Sequence, residues 1–145
     1  MIERSVCMSL VELFQQLQKD AESGDVSAQA ELAKRYEFGE GTEIDLIQAF
    51  YYASLAAENG DLESLNTLAI FYATGKGTDQ NIDLANELFE KAAEAGFDKA
   101  ILNLARMFSE GHYNNKDKLL QYLNTVSKEN QKQARKVMKI IANDV

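Results

Sequence analysis

The sequence holds no proline and no tryptophan, a single cysteine, a single histidine, and fewer basic than acidic side chains, 15 against 23. One cysteine, Cys7, excludes an intramolecular disulfide framework and a cysteine zinc cluster, and suits a reducing compartment. One histidine, His112, excludes a histidine metal cluster and allows at most one histidine-dependent acid–base step. Nothing approaches the roughly 18 consecutive apolar residues of a membrane-spanning helix, and Met1–Met8 contains no apolar run long enough for a secretory signal. Cys7 lies too early, behind Glu3 and Arg4, to be a lipoprotein anchor, so the chain reads as cytoplasmic.

The scarcity of basic residues is uneven. Residues 1–110 carry 8 basic and 20 acidic side chains, net −12, whereas residues 111–145 carry 7 and 3, net +4. Bulk acidity argues against nucleic acid as a partner, because phosphate neutralisation supplies most non-specific affinity. The basic stretch Lys128, Lys132, Arg135, Lys136 and Lys139 lacks interleaved aromatics and reads as a balance to the acidic body. What the chain does have is the composition of a soluble globular protein, 46% apolar and 26% charged, at a length suited to one domain.

Its eight glycines, at 24, 39, 41, 60, 75, 77, 96 and 111, fall on a 36-residue ladder, the period of a solenoid. Ala21-Glu22-Ser23-Gly24, Ala57-Glu58-Asn59-Gly60 and Ala93-Glu94-Ala95-Gly96 coincide on that period, each glycine closing a run of helix formers. Asp25, Asp61 and, one residue later, Asp98 are placed to cap the following helix. That helix, A, repeats as Ala28-x-x-x-Leu32-Ala33-x-x-Tyr36, Ser64-x-x-x-Leu68-Ala69-x-x-Tyr72 and Ala100-x-x-x-Leu104-Ala105-x-x-Phe108, a spacing that keeps one buried seam. Gly39-Glu40-Gly41-Thr42 and Gly75-Lys76-Gly77-Thr78 then turn the chain. They follow helices rather than strands and lack the spacing of a phosphate-cradling loop. Helix B begins at the N-caps Asp45 and Asn81 and continues as Ala49-x-x-Tyr52-Ala53-x-x-Ala56-Ala57 and Ala85-x-x-Leu88-Phe89-x-x-Ala92-Ala93.

The third copy departs. Its loop, Gly111-His112-Tyr113-Asn114-Asn115, is two residues shorter, and from there the register is 34, aligning Asn115, Leu119, Tyr122, Leu123 and Val126 with helix B and placing Asn130 where a left-handed glycine would stand. Ser9-Leu10-Val11-Glu12 reads as a capping box opening a lone first helix, and Gln131 to Asn143 as a lone closing one. The predicted fold is all-α: an α-α superhelix of about eight antiparallel helices. Residues 1–8 are expected to be a flexible N-terminus, and 9–145 a single repeat domain comprising 9–24, 25–60, 61–96, 97–130 and 131–145.

These elements resemble the Sel1-like repeat, a branch of the tetratricopeptide-like (TPR-like) α-solenoids. The resemblance covers residues 9–143 and rests on the glycine spacing, the alanine-leucine-tyrosine seam and the double alanine recurring together. Two features differ: the tryptophan usual in helix B is replaced by Tyr52 and Leu88, and the third loop is irregular. The resemblance implies a non-enzymatic adaptor or scaffold for a protein or peptide partner, and the residues themselves lead to the expectation of no cofactor or metal, no nucleic acid and no membrane insertion. An immunity protein that neutralises a secreted bacterial toxin is the alternative. Some relatives have been discussed as β-lactam-binding or hydrolysing proteins, but no serine here begins a Ser-x-x-Lys motif.

As in related superhelices, residues offset from the seam leucines should face the concave side: Ala30, Lys34 and Glu37; Asn66 and Ile70; Leu102 and Arg106; and Lys136 and Ile140 of the closing helix. Apolar Ala30, Ile70, Leu102 and Ile140 beside cationic Lys34, Arg106 and Lys136 suit a segment with apolar anchors and a carboxylate. Arg106 is the first choice as anchor. A plainer reading packs the apolar residues between neighbouring helices and leaves the cations solvated.

Overall fold

The computed structural model describes residues 9–143. The expected flexible segment 1–8, with Cys7, and residues 144–145 lie outside the described residues. Within them the chain forms eight helices and no strand: α1 (Leu10–Glu22), α2 (Val26–Phe38), α3 (Leu46–Glu58), α4 (Leu62–Thr74), α5 (Ile82–Glu94), α6 (Asp98–Ser109), α7 (Lys116–Leu123) and α8 (Gln131–Asn143). They fall into two compact units, one ending at Gln80 and the other beginning at Asn81. Inside each unit every helix packs on the next in sequence.

In the first unit, local chemistry sets the helix ends. Ser9, Asp25, Asp45 and Asp61 each accept a hydrogen bond from the backbone N–H three residues on, at 2.9–3.1 Å, satisfying a donor the first helical turn leaves unpaired. At the other end, Gly39 closes α2 with φ +74°, where a side chain would clash with its own backbone. Gly77 answers a second need. A Cβ there would overlap the carbonyl group of Leu46, so the absent side chain is what lets the loop lie against the start of α3.

The seam is buried as its spacing predicts. Leu32, Ala49, Ala53 and Phe71 have no exposed surface, and Ala28, Ala33 and Tyr52 are nearly covered. Removal of one such large apolar side chain costs about 2–5 kcal/mol. Tyr52, at the tryptophan position, stacks on Tyr36 at 5.8 Å, and Tyr36 meets the edge of Phe14 at 5.2 Å, so three rings on three helices tie the unit together. Buried Gln29 bridges two helix ends, donating to the Ala21 carbonyl and accepting from Asn59.

The second unit buries Phe89, Ile101, Leu104, Leu119 and Leu123, and Asn81 and Asn115 cap α5 and α7. The shortened register therefore holds through Tyr122, Leu123 and Val126, all buried. Three expectations do not survive. Asp98 does not cap α6: the cap position is Phe97, with no side-chain bond. Asp98 instead reaches forward and accepts from the Ser127 backbone N–H, the Ser127 hydroxyl and the Asn130 amide at 2.6–3.0 Å. Asn130 is not left-handed, since only glycines have positive φ among the described residues; its side chain donates to Asp98 and its carbonyl accepts from Ala134 at the start of α8. And α7 has 8 residues where the other B helices have 13, so the chain reverses early and those three hydrogen bonds hold the turn.

The irregular loop is secured in a similar way. Tyr113 stands where a glycine would have continued the ladder; it is buried, and its hydroxyl donates to Glu90 at 2.9 Å. Lys118 pairs with Glu90 at 2.6 Å and lies 3.6 Å from Glu94, which also accepts from Tyr122. Burial, then the bond to Glu90, pushes the Tyr113 phenol well above its ordinary range, keeping it a neutral donor.

Candidate functional site

Five of the nine proposed partner-facing residues lie in the first unit. Ala30, Glu37 and Ile70 are half-buried and Lys34 is exposed. Asn66 is buried at 6% exposure, so its side chain belongs to the interior of α4 and not to an open surface. Lys34 has a carboxylate already, Glu63 at 3.4 Å, in a pair that is half-exposed on both sides. Glu37 is held above the usual carboxylate range by burial, partly offset by Lys76.

The other four lie in the second unit, and three of them converge. Leu102 and Arg106 of α6 and Ile140 of α8 line one cleft of about 700 Å³. This is within the roughly 300–1,000 Å³ typical of sites that enclose a ligand. Lys136 is exposed, one turn before Ile140 on the same helix, and outside the lining. The floor is apolar, formed by Ala105, Phe108, Val137 and Ile141, and the polar groups Ser109, Gln133 and Asn143 stand around it.

Positions on α8 recur at the helical spacing Gln133, Val137, Ile140, Ile141, which turns one face toward α6. Ile141 is buried there, but Ile140 remains 65% exposed. Sequence reasoning assigned Ala105 and Phe108 to the seam and gave Val137 and Ile141 no partner-facing role, and so missed all four as lining. Their apolar character was visible; the gap between α6 and α8 was not.

Among the described residues, Arg106 is the one charged side chain of the lining, and exposed Lys136 stands one turn before Ile140. The other cations of α8 lie off this face, Arg135 lining a separate recess with Leu123 and Met138. Within the described residues the ion pairs engage Lys34, Arg35 and Lys118, and neither Arg106 nor Lys136.

A second cleft, about 480 Å³, lies at the irregular loop between Asp83, Glu87, Glu90 and Gly111–Asn115. His112 lines it, but the hydrogen bond there is to its backbone carbonyl, from Asn86 at 2.8 Å. Among the described residues, no three His, Cys, Asp or Glu side chains are placed to hold a metal ion, and no helix is long and apolar enough to cross a membrane.

Comparison with known proteins adds the family. A Sel1 repeat profile matches residues 26–61 and 62–97, each shifted by one residue from the repeats 25–60 and 61–96 read above. The crystal structure of a Sel1 repeat protein from Oxalobacter formigenes is 30% identical with a TM-score of 0.72, over 86% of this chain and 96% of that one. A protective antigen of uropathogenic Escherichia coli strains, displaying an SLR fold, is 25% identical with a TM-score of 0.78 over 87% of this chain. The chain spans only 27% of that antigen's length. Sequence comparison with curated proteins finds no match. Sel1 repeat proteins are generally protein–protein interaction scaffolds. The repeat matches, the all-helical fold and the near full-length likeness to a Sel1 repeat protein establish that this chain belongs to the Sel1 repeat family.

Proposed function

We propose that the protein is a non-enzymatic adaptor that holds a partner polypeptide, and that the α6–α8 cleft of the second unit is where it does so. The observation that carries this is the convergence of exposed Ile140, half-buried Leu102 and unpaired Arg106 on one apolar-floored cleft. Solvent-exposed large apolar side chains beside an ordered recess are the usual anchor points of peptide recognition. Arginine adds a planar fork that grips a carboxylate through two hydrogen bonds. At the second cleft Glu90 is engaged by Tyr113 and Lys118, and the hydrogen bond at His112 is to its backbone carbonyl, from Asn86.

The test is affinity capture from the native cell with the wild-type chain and with Arg106→Glu combined with Ile140→Asp. Both residues are exposed, so helicity and melting temperature should stay close to wild type while the captured partner is lost. Retention of the same partner by the folded double variant would refute the assignment.

A further inference from the structure

We infer that the occupant of the α6–α8 cleft is an acidic polypeptide segment, with apolar side chains entering between Leu102 and Ile140 while its carboxylates pair with Arg106 and with Lys136 one turn away. This rests on the reading of the cleft as a partner site and names the chemistry of that partner.

Charge complementarity carries the choice. Arg106 stands in the lining itself and exposed Lys136 one turn before Ile140, and neither is paired with a carboxylate within the described residues. Residues 131–143 contain no acid to oppose them. The contrast is sharpened by the rest of the chain: residues 9–80 contain 4 basic and 13 acidic side chains. A concentrated positive field beside an apolar recess speeds encounter with an acidic chain and repels a basic one.

Shape separates a polypeptide from other anionic or apolar partners. Ile141 and Ala105 are buried and Leu102 and Val137 half-buried, so much of the apolar surface is recessed. An inserted side chain reaches it; a flat bilayer meets only exposed Ile140 and Arg106. A second copy docking the same face would bring Arg106 and Lys136 of both copies together, a like-charge contact that symmetric pairing cannot relieve.

The experiment is selection of phage-displayed random dodecapeptides on the folded full-length chain, followed by affinity measurement on a resynthesised winner. The expected winners combine Asp or Glu with Leu, Ile or Phe. Their affinity should fall by about tenfold or more with Arg106→Ala or with Ile140→Asp, and should weaken as salt is raised. Neutral or basic winners that still need Ile140 would overturn the acidic chemistry while leaving the cleft as the partner site. Acidic winners indifferent to both substitutions would sink both readings. Failure to enrich any peptide also counts against the inference. It then gives way to a second copy if light scattering shows a dimer that Ile140→Asp dissolves, or to a lipid surface if the chain floats with vesicles of phosphatidylcholine and phosphatidylglycerol.

Discussion

The two units solve the same problem, reversing the chain between helices, by different means. In the first, the reversals rest mainly on local devices, with one long-range bond added, from the Asn59 amide to Gln29. An Asp caps the helix that follows, and a glycine with positive φ ends the one before. In the second, the reversals after α6 and α7 rely on residues distant in sequence: Glu90 holds Tyr113 and Lys118, and Asp98 holds Ser127 and Asn130, across 23 to 32 positions. Local devices depend on backbone conformation alone, so they repeat wherever the sequence repeats. Long-range clamps need two elements to be docked already, and they take over the turns where the repeat has lost its period.

The largest effect should come from breaking a local device that is also a packing contact. Gly77→Ala forces both a left-handed alanine and a clash with the Leu46 carbonyl, and should destabilise the first unit by about 3 kcal/mol or more in urea unfolding. Gly24→Ala is the internal control. It has the same sign of φ, +98°, but no atom within 4 Å of the added carbon, so about 1 kcal/mol is expected. Equal losses at the two sites would mean that the Leu46 approach yields cheaply.

Next in size is the Asp98 clamp. Asp98→Ala removes three hydrogen bonds from a half-buried turn, and a loss of about 1–2 kcal/mol is expected, read as faster amide exchange in α8 and little change in α2. Burial alone would raise the Asp98 carboxyl, but the bonds from Ser127 and Asn130 outweigh it and hold the carboxyl below its ordinary value. Its stabilising contribution is therefore complete above the unfolded value of about 4 and is lost as pH falls through the lower folded value. Amide exchange in α8 should accelerate over that acid window in the wild type and be flatter in Asp98→Asn. Parallel pH profiles would remove the clamp from the account.

The smallest change is Tyr113→Phe. The ring stays buried, Glu90 keeps Lys118, and only one hydroxyl bond is lost, so about 1 kcal/mol or less is expected from thermal unfolding. A much larger loss would show that the tyrosine hydroxyl organises the loop and does not merely decorate it.

The sequence made the periodic part of the fold legible. Leu32, Ala49 and Phe89 are buried where the period put them, and the caps Asp25, Asp45, Asp61, Asn81 and Asn115 function as read. It misled wherever one residue type serves two purposes. Asp98 looks like its counterparts Asp25 and Asp61, and an asparagine after a helix looks like a left-handed stop. Only the position of a second element tells a cap from a clamp. The candidate site divides the same way: Leu102, Arg106 and Ile140 were chosen by helical offset and do meet, while Asn66, chosen by the same offset, is buried.

By itself, then, the sequence determined the number of helices, their seams and most of their ends, because these follow from side-chain spacing and backbone preference within a few residues. Tertiary structure alone decided that α7 stops at Leu123, that Glu90 and Asp98 are tied to distant partners, and that a cleft stays open between α6 and α8. Each of these depends on how closely separate helices approach, and an approach distance is a sum over many contacts that no single repeat position encodes.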